Sequence, residues 1–207
     1  MVLITSTFFL AYLLGSIPSA VWIGKAFYKT DVRLHGSKNA GATNTLRVLG
    51  KKAGFTVLFF DMFKGMLASA LPYLSGIQNF SADDFTVYQL LVGVAAVLGH
   101  LFPVFAKFKG GKGVATLAGI SFFVFPISAS VGAVIFLLVF VITHYVSLGS
   151  ILASISFSLV VIFYFNLRHP IILTIVLLIP ILILFTHRKN IVRLLNGTEN
   201  KIFLNKN

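Results

Sequence analysis

Long apolar runs and short polar interruptions alternate along this chain. Residues 2–24 and 54–74 are nearly unbroken apolar stretches, and a third runs from about 86 to 105. Each approaches the roughly 20 residues that an α-helix needs to cross a bilayer. From Val114 to Phe165 no residue carries a formal charge at neutral pH, counting His144 as neutral. That stretch is too long for two ordinary spans. Pro126 and Ser147-Leu148-Gly149-Ser150 are its natural breaks, giving about 114–126, 128–146 and 149–166, the first of them short. A last run covers about 170–187, after Arg168-His169-Pro170. The pattern predicts an all-α membrane protein, a seven-transmembrane-helix bundle.

Basic residues orient the bundle. The first base, Lys25, follows the first apolar run rather than preceding it, unlike a secretory signal. This predicts an N-terminus outside and the next loop in the cytoplasm. With seven spans, the cytoplasmic segments hold seven bases between Lys25 and Lys52, three between Lys107 and Lys112, and five from Arg188 onward. That leaves Lys64 inside a span and Arg168 outside. Six spans would export the basic tail, against the positive-inside rule, so the C-terminus is expected to be cytoplasmic.

Composition supports this. Hydrophobic residues make up 57% of the 207-residue chain and charged residues 11%, against about 25% charged in soluble domains. Mean hydropathy is +0.96. A net charge of +12 would suggest nucleic acid in a soluble protein; here it reports loop orientation, and no nucleic-acid partner is expected. There is no cysteine, which excludes disulfides and thiolate chemistry. No linker or low-complexity segment divides the chain, so residues 1–207 are expected to form one domain.

The polar interruptions carry the chemistry. Between the first two spans lies HGSKNAGATNTLRVLGKKAG, residues 35–54, with Gly36, Gly41, Gly50 and Gly54, the bases Lys38, Arg47, Lys51 and Lys52, and no carboxylate. Ser37, Asn39, Thr43, Asn44 and Thr45 are interleaved. Glycines let backbone N–H groups converge on an anion, and Arg and Lys add charge. The combination points to a phosphorylated substrate. A basic juxtamembrane loop held by anionic lipid would explain the cations but not the glycines and hydroxyls.

A second cluster, Lys107-Phe108-Lys109-Gly110-Gly111-Lys112-Gly113, follows the third span. It fails the P-loop pattern, with Ala106 where a glycine is required and Gly113 where Ser or Thr is required. What remains is a flexible set of backbone donors around Lys112, opening a helix whose N-terminus favours an anion. The predicted topology adds Ser147 and Ser150, and the tail His187-Arg188-Lys189-Asn190-Ile191-Val192-Arg193, to the same membrane face. His187 and Asn190 are three apart, with Arg193 one turn on. Two further features lie within spans. Gly15-Ser16-Ile17-Pro18-Ser19 fits small-residue helix packing with a proline kink, or a role near the site. Asp61 and Lys64, three apart, are expected to be a buried pair.

The acids are few: Asp31, Asp61, Asp83, Asp84 and Glu199, with Asp83 and Asp84 in a predicted outer loop over residues 75–84. Paired-carboxylate hydrolysis and carboxylate-bound metal are therefore not expected. No His is followed five residues later by Asp, and no G-x-S-x-G is present. The remaining chemistry is positioning and charge stabilisation on a substrate that arrives activated.

The motifs GSIPSA at 15–20, HGSKNAGATNTLRVLG at 35–50, DMFKG at 61–65, GHLFPVFAKFKGGKGVAT at 99–116 and HRKNIVRLLNGTE at 187–199 resemble the bacterial acyl-phosphate:glycerol-3-phosphate acyltransferases (PlsY), over essentially the whole chain. The resemblance implies a monomeric, multi-pass enzyme of the bacterial inner membrane with a cytoplasmic active site and no cofactor or metal. Such enzymes transfer a fatty acyl group from acyl phosphate to the sn-1 hydroxyl of glycerol 3-phosphate, giving lysophosphatidic acid and phosphate. With both substrates phosphorylated and the acyl chain arriving from membrane lipid, Ser37, Gly41, Thr43, Asn44 and Lys112 are assigned to acyl phosphate and the developing oxyanion, with Lys109, Gly111 and Gly113 as further phosphate contacts. Arg47, His187 and Asn190, with Ser147, Ser150 and Arg193, are assigned to glycerol 3-phosphate. The base is either His187 or the phosphate of the donor itself, and the scarcity of carboxylates favours the second. An organic-phosphate transporter would want mid-membrane ionisable groups and two related halves, whereas a lipid-binding scaffold would want charge without this mixture of Gly, Thr and Asn.

Overall fold

The computed structural model describes residues 2–74, 76, 80–165 and 168–203. Every regular element among them is helical, and they fall into two compact units, Met1–Val124 and Phe125–Asn207.

The first unit holds α1 (Val2–Gly15), α2 (Ser19–Tyr28), α3 (Ala42–Leu49), α4 (Lys51–Leu74), α5 (Ala82–Leu101) and α6 (Val114–Val124). The apolar run at 2–24 is thus two helices, bent by 40° where Pro18 supplies no amide donor. Helix α1 runs parallel to α5. Thr7 bonds the Tyr88 hydroxyl near one end, and the Tyr12 hydroxyl donates to the Phe102 carbonyl (2.9 Å) near the other. Their backbones touch: a methyl group at Gly15 would fall on the Ala96 carbonyl, and one at Gly99 on the Tyr12 carbonyl. Gly65 and Gly119 do the same for α4 against α6. Small residues allow this approach, which drives helix association where lipid removes the hydrophobic advantage. Helix α5 opens on Ser81, whose Oγ accepts the Asp84 N–H (3.1 Å). Of the expected outer loop, positions 75 and 77–79 lie outside the described residues, as do 166 at the end of the sixth run and Lys206 in the tail.

The second unit holds α7 (Pro126–Thr143), α8 (Val146–Tyr164), α9 (Pro170–Thr186) and α10 (Arg188–Leu195). Helices α7 and α8 are joined by two residues and pack antiparallel, Gly132 lying on Ala153 and Gly149 on Phe136. Ser158 Oγ on α8 donates to the Val176 carbonyl on α9 (2.8 Å). The chain turns by 63° between α9 and α10, so the last apolar run ends at His187 as expected.

Among the described residues, four helical segments are long and apolar enough to cross a membrane alone: Lys51–Leu74, Ala82–Ala106, Pro126–Thr143 and Val146–Tyr164. Counting each bent pair as one span raises this to six. The expected seventh is α6, whose 11 residues rise about 17 Å, short of the roughly 30 Å hydrocarbon core.

Candidate active site

In the first unit the loop at 35–41 is shaped from within by Asn44, a side chain only 1% exposed. Its Oδ1 accepts the Ser37 N–H (2.8 Å). Its Nδ2 donates to the carbonyls of Val32 (2.8 Å), Asn39 (3.0 Å) and His35 (3.2 Å). Gly36 has φ +59° and lies so close to Asn44 that a Cβ would collide with its amide. This loop ends at Gly41, the N-cap of α3, which offers no side chain to the first-turn amides. Those amides point past Gly41 with the positive end of the helix dipole, an arrangement suited to an anion. Ser37 is exposed, while Thr43 and Arg47 are half-buried.

The second glycine segment folds back onto the end of α5. The Gly111 N–H donates to the His100 carbonyl (3.2 Å), and a Cβ at Gly111 would strike His100 Nε2. Gly110 lies equally close to the His100 carbonyl. Both glycines therefore serve close packing on His100 as well as backbone access. Lys112 is half-buried, Lys109 is exposed, and Gly113 (φ +84°) leads into α6.

The two segments lie at one end of the unit. Arg33 Nη1 reaches the Ala106 carbonyl (2.9 Å), while its Nε and Nη2 grip Asp31 at 3.0 and 2.8 Å. The hydrogen bond from Arg33 holds the Asp31 carboxyl well below the usual carboxylate range, and the same bond pushes the Arg33 guanidinium up. Ala40 from the first segment and Gly110 and Gly111 from the second line a small recess together with Lys64, His100 and Pro18.

Lys64 of that lining belongs to the expected buried pair. Lys64 Nζ sits 2.8 Å from Asp61 Oδ1 and donates to the Ile17 carbonyl (2.9 Å) at the helix break. Ser19 Oγ donates to the same carboxylate oxygen (2.7 Å), and His100 Nδ1 stands 3.7 Å from it. The Gly15–Ser19 motif is thus both a packing element and a source of ligands for this pair.

In the second unit three of the assigned residues, Ser147, Asn190 and Arg193, converge on Glu199. Its carboxylate accepts from Ser147 Oγ (2.9 Å), Asn190 Nδ2 (2.6 Å) and Arg193 Nε (2.6 Å). Burial alone would push this carboxyl up. Hydrogen bonds from Asn190, Arg193 and Ser147 outweigh it and hold the group below its ordinary value of 4.5. Ser150 Oγ turns back to the Val146 carbonyl (2.8 Å) in its own helix. His187, 3% exposed, places Nδ1 2.9 Å from the Ile183 carbonyl. A carbonyl only accepts, so Nδ1 carries the proton and Nε2 is the basic nitrogen of the neutral ring.

Sequence reasoning assigns no role to Glu199, Asp31 or Arg33. For the two acids the signal is scarcity, since Asp31 and Glu199 are the acids that fall in the cytoplasmic segments of the predicted topology; Arg33, one of seven bases in its segment, carries no such signal. Among the described residues, no group of three or more His, Cys, Asp or Glu side chains is placed to hold a metal ion.

Residues 5–197 match the family model for glycerol-3-phosphate acyltransferase. Proteins of that name from Enterococcus faecalis and Staphylococcus carnosus are each 47% identical to this chain over 93% of its length, spanning 88% and 95% of the relatives. The fold is similar to a crystal structure of PlsY, an integral membrane glycerol 3-phosphate acyltransferase, in its glycerol 3-phosphate form. That match has a TM-score of 0.86 at 39% identity, covering 97% of this chain and 96% of that one. The lysophosphatidic acid form matches with a TM-score of 0.82 at 38% identity.

Proposed function

The chain belongs to the glycerol-3-phosphate acyltransferase family, and from that membership we propose that it takes its fatty acyl group from acyl phosphate and delivers it to the sn-1 hydroxyl of glycerol 3-phosphate. It is a multi-pass membrane enzyme of phospholipid synthesis. The hydroxyl oxygen attacks the acyl carbonyl carbon, the carbonyl oxygen becomes an oxyanion, and the bond to phosphate then breaks. Lysophosphatidic acid and inorganic phosphate leave.

In this reading Ser37, Gly41, Thr43, Lys109, Gly111, Lys112 and Gly113 bind the acyl phosphate and the oxyanion. Asn44 acts by holding the loop that presents them. Arg47, His187, Asn190, Ser147, Ser150 and Arg193 bind glycerol 3-phosphate, with Glu199 orienting Ser147, Asn190 and Arg193. The phosphate that departs takes the hydroxyl proton, so no protein base is needed. Removing the imidazole in His187→Ala and finding the acid limb of the pH–rate profile in place supports this; its disappearance makes Nε2 the base.

One observation carries the reading most: the two glycine-and-cation segments are joined at one end of the first unit through Arg33 and Ala106, residues 73 positions apart that each lie just before one of them. Purified protein given palmitoyl phosphate and radiolabelled glycerol 3-phosphate is expected to form lysophosphatidic acid. Full activity in both Arg47→Ala and Lys112→Ala would remove the phosphate-binding assignment.

The enzyme acts as a monomer in the bacterial inner membrane, with seven spans, the N-terminus outside and the site cytoplasmic. The bent pair α1–α2 counts as one span and the short α6 as another. The parallel run of α1 and α5, with α4 between them in sequence, supports this, as does the crowding of bases into three segments. With no native cysteine, single cysteines can be placed at Lys52, Lys189 and Arg168. An impermeant thiol reagent applied to intact cells is expected to label only the last.

A further inference from the structure

The Ala106 carbonyl stands at the root of the second glycine segment and is held from two sides. The Lys109 N–H donates to it from within the turn (3.3 Å), and Arg33 Nη1 donates from the first loop (2.9 Å). The next two residues, Lys107 and Phe108, both have left-handed backbones, φ 55° and 56°. Neither is glycine, and consecutive left-handed residues with side chains persist only where their surroundings fix them. The turn supplies part of that restraint, since the Ala106 and Phe108 amides both donate to the Pro103 carbonyl (3.1 and 2.9 Å). Arg33 supplies a restraint from outside. Its aim is set in turn by Asp31, which accepts from Nε, Nη2 and the Arg33 N–H. Lys25 touches the same carboxylate (3.4 Å) from a side chain 58% exposed.

We propose that Arg33 is a positioning residue for acyl transfer: braced by Asp31, it fixes the Ala106 carbonyl and so sets where the 107–113 segment presents Lys112. This rests on the assignment of Lys112 to the acyl phosphate. A ligand-bearing loop displaced by about an ångström loses on the order of a hundredfold in rate, so the brace is expected to register in kinetics rather than in folding alone. Lysine cannot replace it, because a single ammonium does not grip both carboxylate oxygens and aim a further donor along a fixed fork.

The test uses the full-length protein with palmitoyl phosphate and glycerol 3-phosphate. Arg33→Ala and Arg33→Lys are expected to lower kcat/KM for palmitoyl phosphate by about tenfold or more, with the KM for glycerol 3-phosphate changed by less than about threefold. Lys25→Ala, which removes a cation from the same carboxylate, is expected to stay within about twofold. Because Arg33 acts through Lys112, Arg33→Ala/Lys112→Ala is expected to be no slower than Lys112→Ala alone. Hydrogen exchange at the Phe108 and Lys109 amides is expected to quicken in Arg33→Ala. Multiplying losses in the double variant, or unchanged exchange at those two amides, would overturn the brace. Raised exchange together with full activity in Lys112→Ala would keep the brace and remove the catalytic assignment it rests on.

Discussion

Asp61 in the first unit and Glu199 in the second each anchor a polar centre around a single carboxylate, and these two centres are chemically alike. Asp61 gathers a serine hydroxyl (Ser19, 2.7 Å), a cation (Lys64, 2.8 Å) and a nearby imidazole (His100, 3.7 Å). Glu199 gathers a serine hydroxyl (Ser147, 2.9 Å), a cation (Arg193, 2.6 Å) and an amide (Asn190, 2.6 Å). They differ in setting. Asp61 lies midway along α4 within an apolar span, 1% exposed, and its cation is also 6% exposed. Glu199 lies past the last helix, and Arg193 keeps 35% of its side chain in solvent. The first centre fastens a helix break through the Ile17 carbonyl. The second arranges side chains assigned to substrate. Similar chemistry thus occurs in a fully buried setting within a helix and in a more exposed one beyond the last helix.

The largest expected effect follows from that difference in setting. Asp61→Ala leaves the Lys64 ammonium buried without its counter-charge and is expected to cost about 3–5 kcal/mol of stability. Truncating both partners in Asp61→Ala/Lys64→Ala is expected to cost less than Asp61→Ala alone, because no orphaned charge remains. Thermal unfolding in detergent measures both. A double variant worse than the single one breaks the comparison, by showing that Lys64 acts chiefly through the Ile17 carbonyl rather than through Asp61.

Next in size is Asn44, which organises the 35–41 loop as the carboxylates organise their clusters, but with main-chain partners. Asn44→Ala leaves three carbonyls and the Ser37 amide without this partner. About 2–3 kcal/mol is expected, at the upper end for losing a buried hydrogen-bonding group. Activity is expected to fall further than stability, since the loop it shapes carries Ser37 and Gly41.

These centres also mark what the sequence reveals and what it hides. The apolar runs were legible because hydropathy is a local property, and so was the Asp61–Lys64 pair, whose spacing of three puts both on one helix face. Pro18 marked the bend in the first run, although not that the Ile17 carbonyl there would take a bond from Lys64 besides the one from the Ser19 N–H. The sequence suggests a phosphate contact for Asn44, because Ser, Thr and Asn add neutral donors to such loops; its bonds to Val32, His35 and Asn39 depend on how a glycine-bearing loop closes, which composition does not encode. Glu199 was overlooked for a related reason: Ser147 lies 52 residues before it, and no periodicity links them.

Glu199→Gln sharpens the contrast through charge alone. The amide keeps the shape but weakens the charge-assisted bonds from Arg193, Asn190 and Ser147, at an expected cost of about 1–3 kcal/mol. Acid reproduces this in the unaltered protein. The carboxyl pKa is lower folded than unfolded, so its stabilisation is fully present above the ordinary value of 4.5 and is lost as pH falls below that value through the folded one. Asp31 titrates with the same sign. Unfolding followed from pH 6 downward is expected to show a shallower acid loss in Glu199→Gln than in wild type. Parallel curves would mean that Glu199 does not carry the charge that assembles its centre.

The smallest effect separates two serines that the sequence could not tell apart. Ser147 Oγ reaches Glu199, 52 positions along the chain, whereas Ser150 Oγ returns to the Val146 carbonyl one turn back in its own helix. A hydroxyl bonded to its own helix competes with the helical ladder and holds nothing across the fold. Ser150→Ala is therefore expected to cost under about 0.5 kcal/mol of stability. Ser147→Ala is expected to cost about 1 kcal/mol, the net worth of one hydrogen bond to a charged acceptor that keeps two other donors. The acid dependence should separate them further. Ser147→Ala removes one bond that favours the ionised carboxylate, so it shifts the Glu199 acid transition toward higher pH, while Ser150→Ala leaves that transition in place. Equal costs and superimposable acid curves for the two variants would show that Ser147 stands beside the carboxylate without helping to set its charge.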